Sequence, residues 1–278
     1  MDKDQGLTRN IVIKLGGEIA KSPELDLIAE DLKRLIDGWN RVTIVHGGGP
    51  QATALQKTLG LEPRMIAGRR YTDPATLDVM KYVLAGQLNV DLCARLLARG
   101  VMPVGLHGAS GHVVQAVRRP PRVMQGAGPD PVDLGLVGDV TGFNLPLLGD
   151  LFERRYVPVI ACLGCDREGQ VLNINGDTVA SQLAGALRAD ALVLVTSTPG
   201  VLRDVKDPAS RIGRIDRAEF ERLVKDGTIS GGMIPKLEES FEILRSGARS
   251  VVIIGKLSPG DLARAVTEPG SAGTVLEP

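Results

Sequence analysis

Two lysines lie beside glycine pairs at the ends of predicted elements, where they could neutralise an anion. Lys14 lies in the apolar stretch 11–15, and one leucine separates it from Gly16-Gly17. Lys236 follows Gly231-Gly232 in the first turn of a predicted helix. A cation at a helix N-terminus is unfavourable by ~0.3–1 kcal/mol, and a bound anion would reverse that penalty. Two such lysines suit a transferring phosphoryl group. The alternative for Lys236 is a solvated surface lysine.

A strand that runs into three glycines could bind phosphate through its main chain. Residues 42–45 favour a strand, and Gly47-Gly48-Gly49 and Pro50 then lead into a helix that ends before Gly60. Glycine lets a ligand approach the backbone, and the first N–H groups of a helix are unpaired. The alternative is a tight strand-to-helix turn with no ligand.

Asp177 and Arg70 could orient these groups and bind a carboxylate. Asp177 follows Asn173 at the passage from a strand to a helix, where it could be an N-cap or could hold the ammonium groups in place. Arg70 lies in a predicted hairpin, where it could clamp a substrate carboxylate with two hydrogen bonds. The alternative for Arg70 is a surface arginine of the hairpin.

Several other kinds of site are excluded because residues that they require are absent from the sequence. The P-loop pattern is absent. Gly47, Gly49 and Ala52 fit a degenerate dinucleotide fingerprint, but no acidic residue ends a second strand at the required distance. Cys162 and Cys165 have no second pair for zinc. The three histidines are scattered, and no Ser-His-Asp arrangement is readable.

The composition predicts an ordinary globular protein that binds its ligands by local geometry. The 278 residues include 33 Lys+Arg and 33 Asp+Glu, so no overall charge favours nucleic acid or an anionic membrane surface. No apolar run approaches the ~20 residues of a membrane helix. Three cysteines and a polar N-terminus without an apolar signal region predict a reduced, cytoplasmic protein.

The elements that would position these residues alternate between strand and helix. The predicted strands are residues 11–15, 42–45, 101–106, 157–162, 169–174, 191–196 and 250–254. The predicted helices are residues 23–38, 52–59, 74–96, 145–155, 177–187, 217–225, 233–246 and 261–266. Residues 107–143 predict hairpins that form a lid or flap. The alternation predicts an α/β fold, a three-layer α/β/α sandwich with a mostly parallel central sheet, whose ligands bind at the carboxyl ends of the strands.

These motifs, in this order, resemble the amino acid kinase family. The resemblance covers nearly the whole chain, and the motif that contains Lys236 is the most specific. It implies two lobes, with acyl substrate and a dimer helix in residues 1–160 and ATP in residues 161–278. It further implies ATP-dependent phosphorylation of the side-chain carboxylate of N-acetyl-L-glutamate in arginine biosynthesis, with Mg²⁺ held mainly by phosphates and no metal ligands from the chain. A carboxylate with a reference pKa of ~4.3 is ionised at pH 7, so this nucleophile needs no general base.

The resemblance also assigns a role to each site residue. By similarity, Lys14 and Lys236 neutralise the transferred phosphoryl group, and Asp177 orients the two lysines. Arg70 and Asn173 hold the amino-acid end of the substrate. Backbone N–H groups bind the phosphoryl oxygens, and they belong to Gly17, Gly48 and Gly49.

Three positions depart from the usual pattern of the family. Gly176 stands where alanine is usual, and Ser197 and Ser110 stand where acidic residues are usual. The short lead before Ile11 predicts a homodimer without the N-terminal helix that joins arginine-inhibited members into hexamers. Two alternatives stay open at this point: a sister kinase that acts on another blocked acidic amino acid, such as an aminoadipate carrier adduct, and a nucleotide-binding sensor.

Overall fold

The computed structural model describes residues 8–19, 22–124, 126–229 and 233–278, and its strands form two sheets and a hairpin. The strands are β1 (Asn10–Leu15), β2 (Arg41–His46), β3 (Met65–Ile66), β4 (Arg69–Arg70), β5 (Pro103–Leu106), β6 (Val114–Arg118), β7 (Gly138–Phe143), β8 (Val157–Ala161), β9 (Leu163–Cys165), β10 (Val171–Asn173), β11 (Ala191–Val195), β12 (Arg214–Ile215), β13 (Val251–Ile254) and β14 (Thr274–Leu276).

The helices alternate with these strands along most of the chain. They are α1 (Glu24–Asp37), α2 (Gly49–Thr58), α3 (Pro74–Met80), α4 (Asn89–Leu97), α5 (Leu145–Glu153), α6 (Gly176–Ala186), α7 (Arg217–Lys225), α8 (Met233–Arg245) and α9 (Asp261–Thr267). A π-helical segment, Lys81–Leu88, joins α3 to α4. A short 3₁₀ turn, Pro208–Ser210, lies in the loop before β12. None of the described helices is long and apolar enough to cross a membrane.

The main sheet has eight strands in the order β12-β14-β13-β11-β1-β2-β8-β5. Every neighbouring pair is parallel except β13 and β14. A parallel sheet of this kind needs crossover helices, and these cover both of its faces. The strand β1 lies at the centre, between β2 from the amino half and β11 from the carboxyl half.

Side chains alternate between the two faces of the sheet along each strand, and on both faces they are buried against helices. In β1, Ile11 and Ile13 belong to a core cluster that includes Leu25 of α1 and Leu262 of α9. Val12 belongs to a second cluster, on the opposite face, which includes Leu183 of α6. The predicted three-layer α/β/α arrangement with a mostly parallel central sheet is confirmed.

The segment predicted as a lid or flap contributes to a second sheet. Its strands β6 and β7 pair in antiparallel fashion, and β9 and β10 extend them into a four-stranded sheet with the order β10-β9-β6-β7. The strands β9, β12 and β14 have two or three residues each and escaped prediction, since so short a run shows no periodicity. The predicted lobe boundary at residues 160 and 161 falls inside β8, and the roles of the two lobes stay a prediction.

Candidate active site

A cavity of about 300 Å³ lies at the carboxyl ends of β1 and β2, where the fold class predicts a ligand. Four cationic residues line it: Lys14, Arg69, Arg70 and Arg119. No aspartate or glutamate is among the described residues that line it. The remaining wall consists of glycines, asparagines and apolar side chains, including Met80, Leu134 and Val137. The cavity therefore suits an anionic ligand with an apolar part.

The two predicted glycine loops contact each other at this cavity. A Cβ atom on Gly17 would lie 2.9 Å from the Cα atom of Gly48, so glycine is needed for this close approach. The Gln51 amide donates a hydrogen bond of 2.7 Å to the Gly17 carbonyl and so ties the loops together. Behind Gly48, Leu84 and Leu88 of the π-helical segment occupy the space that a Cβ atom would take, at 2.5 and 2.4 Å. A side chain at Gly17 or Gly48 would therefore clash with its neighbours, and both positions need glycine.

Other glycines in the loops face open space. A Cβ atom on Gly16, Gly47 or Gly49 would meet no described atom within 4 Å. Helix α2 begins at Gly49, and within the described chain no side chain caps its first N–H groups. Uncapped N–H groups at the positive end of a helix attract anions. This part of the cavity can therefore receive phosphate oxygens.

Lys14 and Asp177 form an ion pair of 2.9 Å at the cavity. Lys14 is the last but one residue of β1, and the N-terminus of α6 packs against it. A Cβ atom on Gly176 would lie 3.8 Å from the Cε atom of Lys14, and this close packing places Asp177 within reach of the lysine. Asn175 caps α6, because its side chain accepts a hydrogen bond from the backbone N–H of Asp177. The alternative role of Asp177 as the N-cap is therefore wrong.

Lys236 belongs to the same electrostatic group as Lys14 and Asp177. It is half-buried in the first turn of α8, whereas Gly231-Gly232 lie outside the described residues. Burial lowers the pKa of Lys236 below its ordinary value, the charge of Lys14 lowers it further, and Asp177 acts in the opposite direction. Its partial burial excludes the alternative of a freely solvated lysine. The charge of Lys14 thus acts on Lys236, 222 positions away in sequence, although Lys236 is not among the residues that line the cavity.

Cys162 lies at the same cavity and is buried. Burial raises the pKa of its thiol to about 12, although the nearby Lys14 acts in the opposite direction. The thiol is therefore uncharged at neutral pH, as expected for a packing residue. Neither its pKa nor its exposure supports a role as nucleophile.

Arg70 and Asn173 both line the cavity, and each has partners within the chain. Nη2 of Arg70 donates to the Gly49 carbonyl at 3.1 Å and to Thr53 Oγ1 at 2.7 Å, and Nη1 donates to Gln56 Oε1. These bonds tie the β3–β4 hairpin to α2, and burial lowers the pKa of Arg70. The amide of Asn173 donates to Thr72 Oγ1 at 3.1 Å. Arg70 is therefore not a solvated surface residue, although contact of either residue with substrate stays a prediction.

Sequence reasoning missed a buried histidine that supports the glycine loop. Nδ1 of His46 lies 3.1 Å from the Gly47 carbonyl, and Nε2 lies 3.0 Å from Nδ2 of Asn89. An amide nitrogen can only donate, so Nε2 accepts and the proton sits on Nδ1. Burial lowers the pKa of His46, which favours this neutral form. The only sequence signal was the position of His46 directly before the glycines.

Arg119 was also missed. It lines the cavity and pairs with Asp139 of β7, with Nη2 2.6 Å and Nε 2.8 Å from the same carboxylate oxygen. The sequence gives little indication of this role, because Arg119 follows another arginine in a predicted hairpin, where arginines normally face solvent.

Comparisons with known proteins identify the family and several relatives of this chain. A sequence model of the amino acid kinase family matches residues 9–255. The chain is 87% identical to an acetylglutamate kinase of Anaeromyxobacter dehalogenans (strain 2CP-C), over 97% of this chain and 100% of that protein. It is 57% identical to an acetylglutamate kinase of Sorangium cellulosum (strain So ce56), over 98% of this chain and 95% of that protein.

A solved structure has the same fold. The protein smu.665 from Streptococcus mutans UA159 superposes with a TM-score of 0.74 at 28% identity, and the match covers 96% of this chain and 98% of that one. The family match spans most of the chain, and the relatives match it from end to end. The predicted resemblance is confirmed: the chain belongs to the amino acid kinase family.

Proposed function

We propose that this protein phosphorylates the side-chain carboxylate of N-acetyl-L-glutamate with ATP, giving N-acetyl-L-glutamyl 5-phosphate and ADP in arginine biosynthesis. The observation that carries the proposal is the identity of 87% and 85%, over 97% and 96% of this chain, to two proteins named acetylglutamate kinase. The cavity is compatible with this reaction, because cations line it and no described carboxylate does. The reaction would take place in the cytoplasm, with the acyl substrate bound by residues 1–160 and ATP by residues 161–278.

The chemical step needs charge neutralisation rather than proton transfer. A carboxylate oxygen of the acceptor forms a bond to the γ-phosphorus of ATP, and the bond between that phosphorus and the β-phosphate oxygen breaks. The ionised acceptor has no proton to lose. In our proposal, the ammonium groups of Lys14 and Lys236 face the oxygens on which charge develops, and Asp177 holds Lys14 at 2.9 Å. A solvent-shielded, half-buried position makes such charges more effective than they would be in water.

The glycine loops would position the phosphoryl group. The backbone N–H groups of Gly17, Gly48 and Gly49 would bind its oxygens, as expected for uncapped donors at a helix N-terminus. Arg70 and Asn173 would hold the amino-acid end, and the apolar wall would receive the acetyl group. The predicted contact of Arg70 agrees with its place on the cavity wall, although two of its nitrogens already bind α2.

Mg²⁺ would bind through the phosphate oxygens of ATP and not through the chain. In the described residues, no cluster of three or more histidines, cysteines, aspartates or glutamates could hold a metal ion. A hard cation prefers oxygen ligands, and nucleotide phosphates supply them. Bound Mg²⁺ would shield phosphate charge, while the residues of the chain hold the acceptor and the transferred group.

We also propose that the protein is a homodimer joined through the long helix that contains α3 and α4. Tyr82, Val90 and Leu97 are large apolar side chains on this helix, and each is more than half exposed. Light scattering should give the mass of two chains. A hexameric mass would contradict the proposal.

The test of the proposed activity is an acceptor comparison with detection of the acyl phosphate. Purified protein with Mg²⁺ and ATP should form a hydroxamate, after trapping with hydroxylamine, from N-acetyl-L-glutamate but not from aspartate or carbamate. A higher specificity constant for an N-blocked aminoadipate would favour a sister kinase, and ATP binding without turnover of any acceptor would favour a sensor. Lys14→Arg should bind ATP and remain folded but lose turnover, because a planar guanidinium cannot replace a compact ammonium.

A further inference from the structure

The side-chain amide of Gln51 is bonded at its nitrogen and unpaired at its oxygen. Nε2 donates a hydrogen bond of 2.7 Å to the Gly17 carbonyl. Oε1 is buried, and it has no hydrogen-bond partner in the part of the chain that the structure describes. A buried acceptor without a partner opposes folding, because it has lost its hydrogen bonds to water. Such atoms are uncommon in native proteins, so this one requires an explanation.

The position of Gln51 in α2 makes its unpaired oxygen more unusual. Gly48 is the N-cap residue of α2, so Gln51 is the third residue of the helix. A glutamine at that position often reaches back with its oxygen and accepts a hydrogen bond from the backbone N–H of the N-cap residue. Oε1 of Gln51 makes no such bond, and the first turn of α2 contains no acidic residue. Gln51 thus leaves the start of its own helix uncapped and binds the other glycine loop.

Gln51 and Gly48 pack against the same side of Gly17. A Cβ atom on Gly17 would lie 2.6 Å from Oε1 of Gln51, 2.9 Å from Cα of Gly48 and 3.3 Å from the backbone nitrogen of Gly48. The bond from Gln51 to the Gly17 carbonyl therefore holds the two glycine loops at this short separation. Gln51 is not among the described residues that line the cavity, so any effect on a ligand must pass through the loops.

From these contacts, and on the basis of the proposed function, we infer that Gln51 is a positioning residue for phosphoryl transfer. Its bond to the Gly17 carbonyl orients the peptide groups of the first loop. Because its oxygen does not cap α2, the N–H groups of Gly48 and Gly49 remain available to phosphoryl oxygens. The unpaired Oε1 lowers the stability of the free protein, as is common for groups whose arrangement serves a site.

Gln51→Met tests the inference, and Thr43→Val is its matched control. Thr43 lies in β2, does not line the described cavity, and its Oγ1 is also buried without a partner among the described residues. Each variant replaces an unpaired oxygen by an apolar group of similar shape, so Thr43→Val should keep or raise its thermal midpoint. In Gln51→Met the lost bond to Gly17 opposes this gain, so its midpoint should stay within about 3 °C of the wild type.

The kinetic constants distinguish positioning from structural support. In Gln51→Met, kcat should fall about tenfold to a hundredfold, since a displacement of about 1 Å in a positioning group can have an effect of that size. The KM values for ATP and N-acetyl-L-glutamate should stay within about twofold, and Thr43→Val should keep all three constants. A normal kcat in Gln51→Met, a higher KM at unchanged kcat, or an equal loss of kcat in the control would overturn the inference.

Gln51→Glu provides a second variant if Gln51→Met does not fold. Its carboxylate cannot donate to the Gly17 carbonyl, but it can accept from the N–H groups at the start of α2 and interacts favourably with the helix dipole. The thermal midpoint should therefore rise while kcat falls. If the midpoint and kcat fall together, Gln51 only supports the fold and the inference is wrong.

A mimic of the transferred phosphoryl group tests the orientation of the loops without turnover. Aluminium fluoride, added with MgADP and N-acetyl-L-glutamate, should raise the thermal midpoint of the wild type and of Thr43→Val beyond the rise with MgADP alone. This additional rise should be lost in Gln51→Met, and its retention would contradict the inference. Turnover of N-acetyl-L-glutamate by the wild type tests the proposed function separately. If the wild type is active and Gln51→Met keeps its kcat, only the role of Gln51 fails.

Discussion

Removal of the negative charge of Asp177, which pairs with Lys14, should change the pH dependence of the enzyme. Asp177→Asn keeps the size of the side chain and an oxygen that can accept from Lys14, but it removes the charge. In the native protein, burial and the charge of Lys14 lower the pKa of Lys236, and Asp177 raises it. Without that opposing charge, the pKa of Lys236 should fall further below its ordinary value.

The expected effects on stability and on activity differ in size. Asp177 is 49% exposed and lies in the first turn of α6, so the lost ion pair and the lost helix-dipole interaction together contribute about 0.5–2 kcal/mol to folding. Loss of one preorganised group that supports transition-state charge typically lowers turnover by about 10²–10³-fold. Turnover should therefore fall far more than stability does.

The assay is the pH profile of kcat/KM for ATP, which reports ionisations of the free enzyme. We propose that catalysis requires Lys236 in its charged form, so the rate should fall as the pH rises through its pKa. Because Asp177→Asn lowers that pKa, the alkaline limb should move to lower pH. The direction is opposite to the one expected if Asp177 served as a general base, whose loss would remove an acidic limb.

Asp26→Asn is a matched control for this experiment. Asp26 also lies in the first turn of a helix, is 42% exposed and pairs with Arg95 at 3.1 Å. The control should lose a similar amount of stability and keep the native pH profile. An unchanged alkaline limb in Asp177→Asn, or a similar shift in Asp26→Asn, would refute the proposed cluster of two lysines and one carboxylate.

Three further changes test other parts of the site. Gly49→Ala adds a methyl group in open space at the start of α2, so thermal stability should not fall. The methyl group would lie where we propose that phosphate binds, so turnover should fall about tenfold or more, and normal turnover would mean that phosphate does not approach Gly49. With a pKa of about 12, about one Cys162 thiol in 10⁴ is ionised at pH 8, so iodoacetamide should not inactivate the enzyme within hours. Mass spectrometry should show that Cys162 stays unmodified. Asn89→Asp places a carboxylate against His46 and should raise the histidine pKa, so any loss of activity caused by protonation of His46 should begin at a higher pH than in the native protein. An acidic side of the pH profile of kcat/KM that stays unchanged would disconnect His46 from activity.

The candidate site residues that could be predicted from sequence are those placed against the preferences of their own strand or helix. Lys14 is a cation inside a buried strand, and Lys236 is a cation at the positive end of a helix. Such conflicts are visible in one sequence window, and they mark functional positions more often than structural ones. The glycine loops were predictable for a related reason, because glycines between a strand and a helix leave backbone N–H groups without a partner.

Contacts between distant segments were not predictable from sequence. Asn89, which contacts His46, directly follows a π-helical segment, and no residue pattern in Lys81–Leu88 distinguishes that segment from the α-helix on either side. The pair of Arg119 with Asp139 depends on the register of β6 against β7, which includes an irregularity between Gln115 and Ala116. A shift of one residue would move the arginine to the other face of the sheet.

The strand order explains how groups from both halves of the chain come near the carboxyl end of β1. Parallel strands end at the same edge, and β1 is hydrogen-bonded on one side to β2 and on the other to β11. Lys14 at the end of β1 is therefore central, with the glycine loop after β2 on one side and the helices of the carboxyl half on the other. The helix α6 packs on β1 and α8 packs on α6, which carries Lys236 toward Lys14 across the whole sequence. Two like charges so placed oppose folding in the absence of a counter-charge, and one carboxylate, Asp177, offsets only part of this repulsion. We therefore expect the positive charge of the two lysines to favour binding of a polyanionic ligand, such as the phosphates of the proposed substrate ATP.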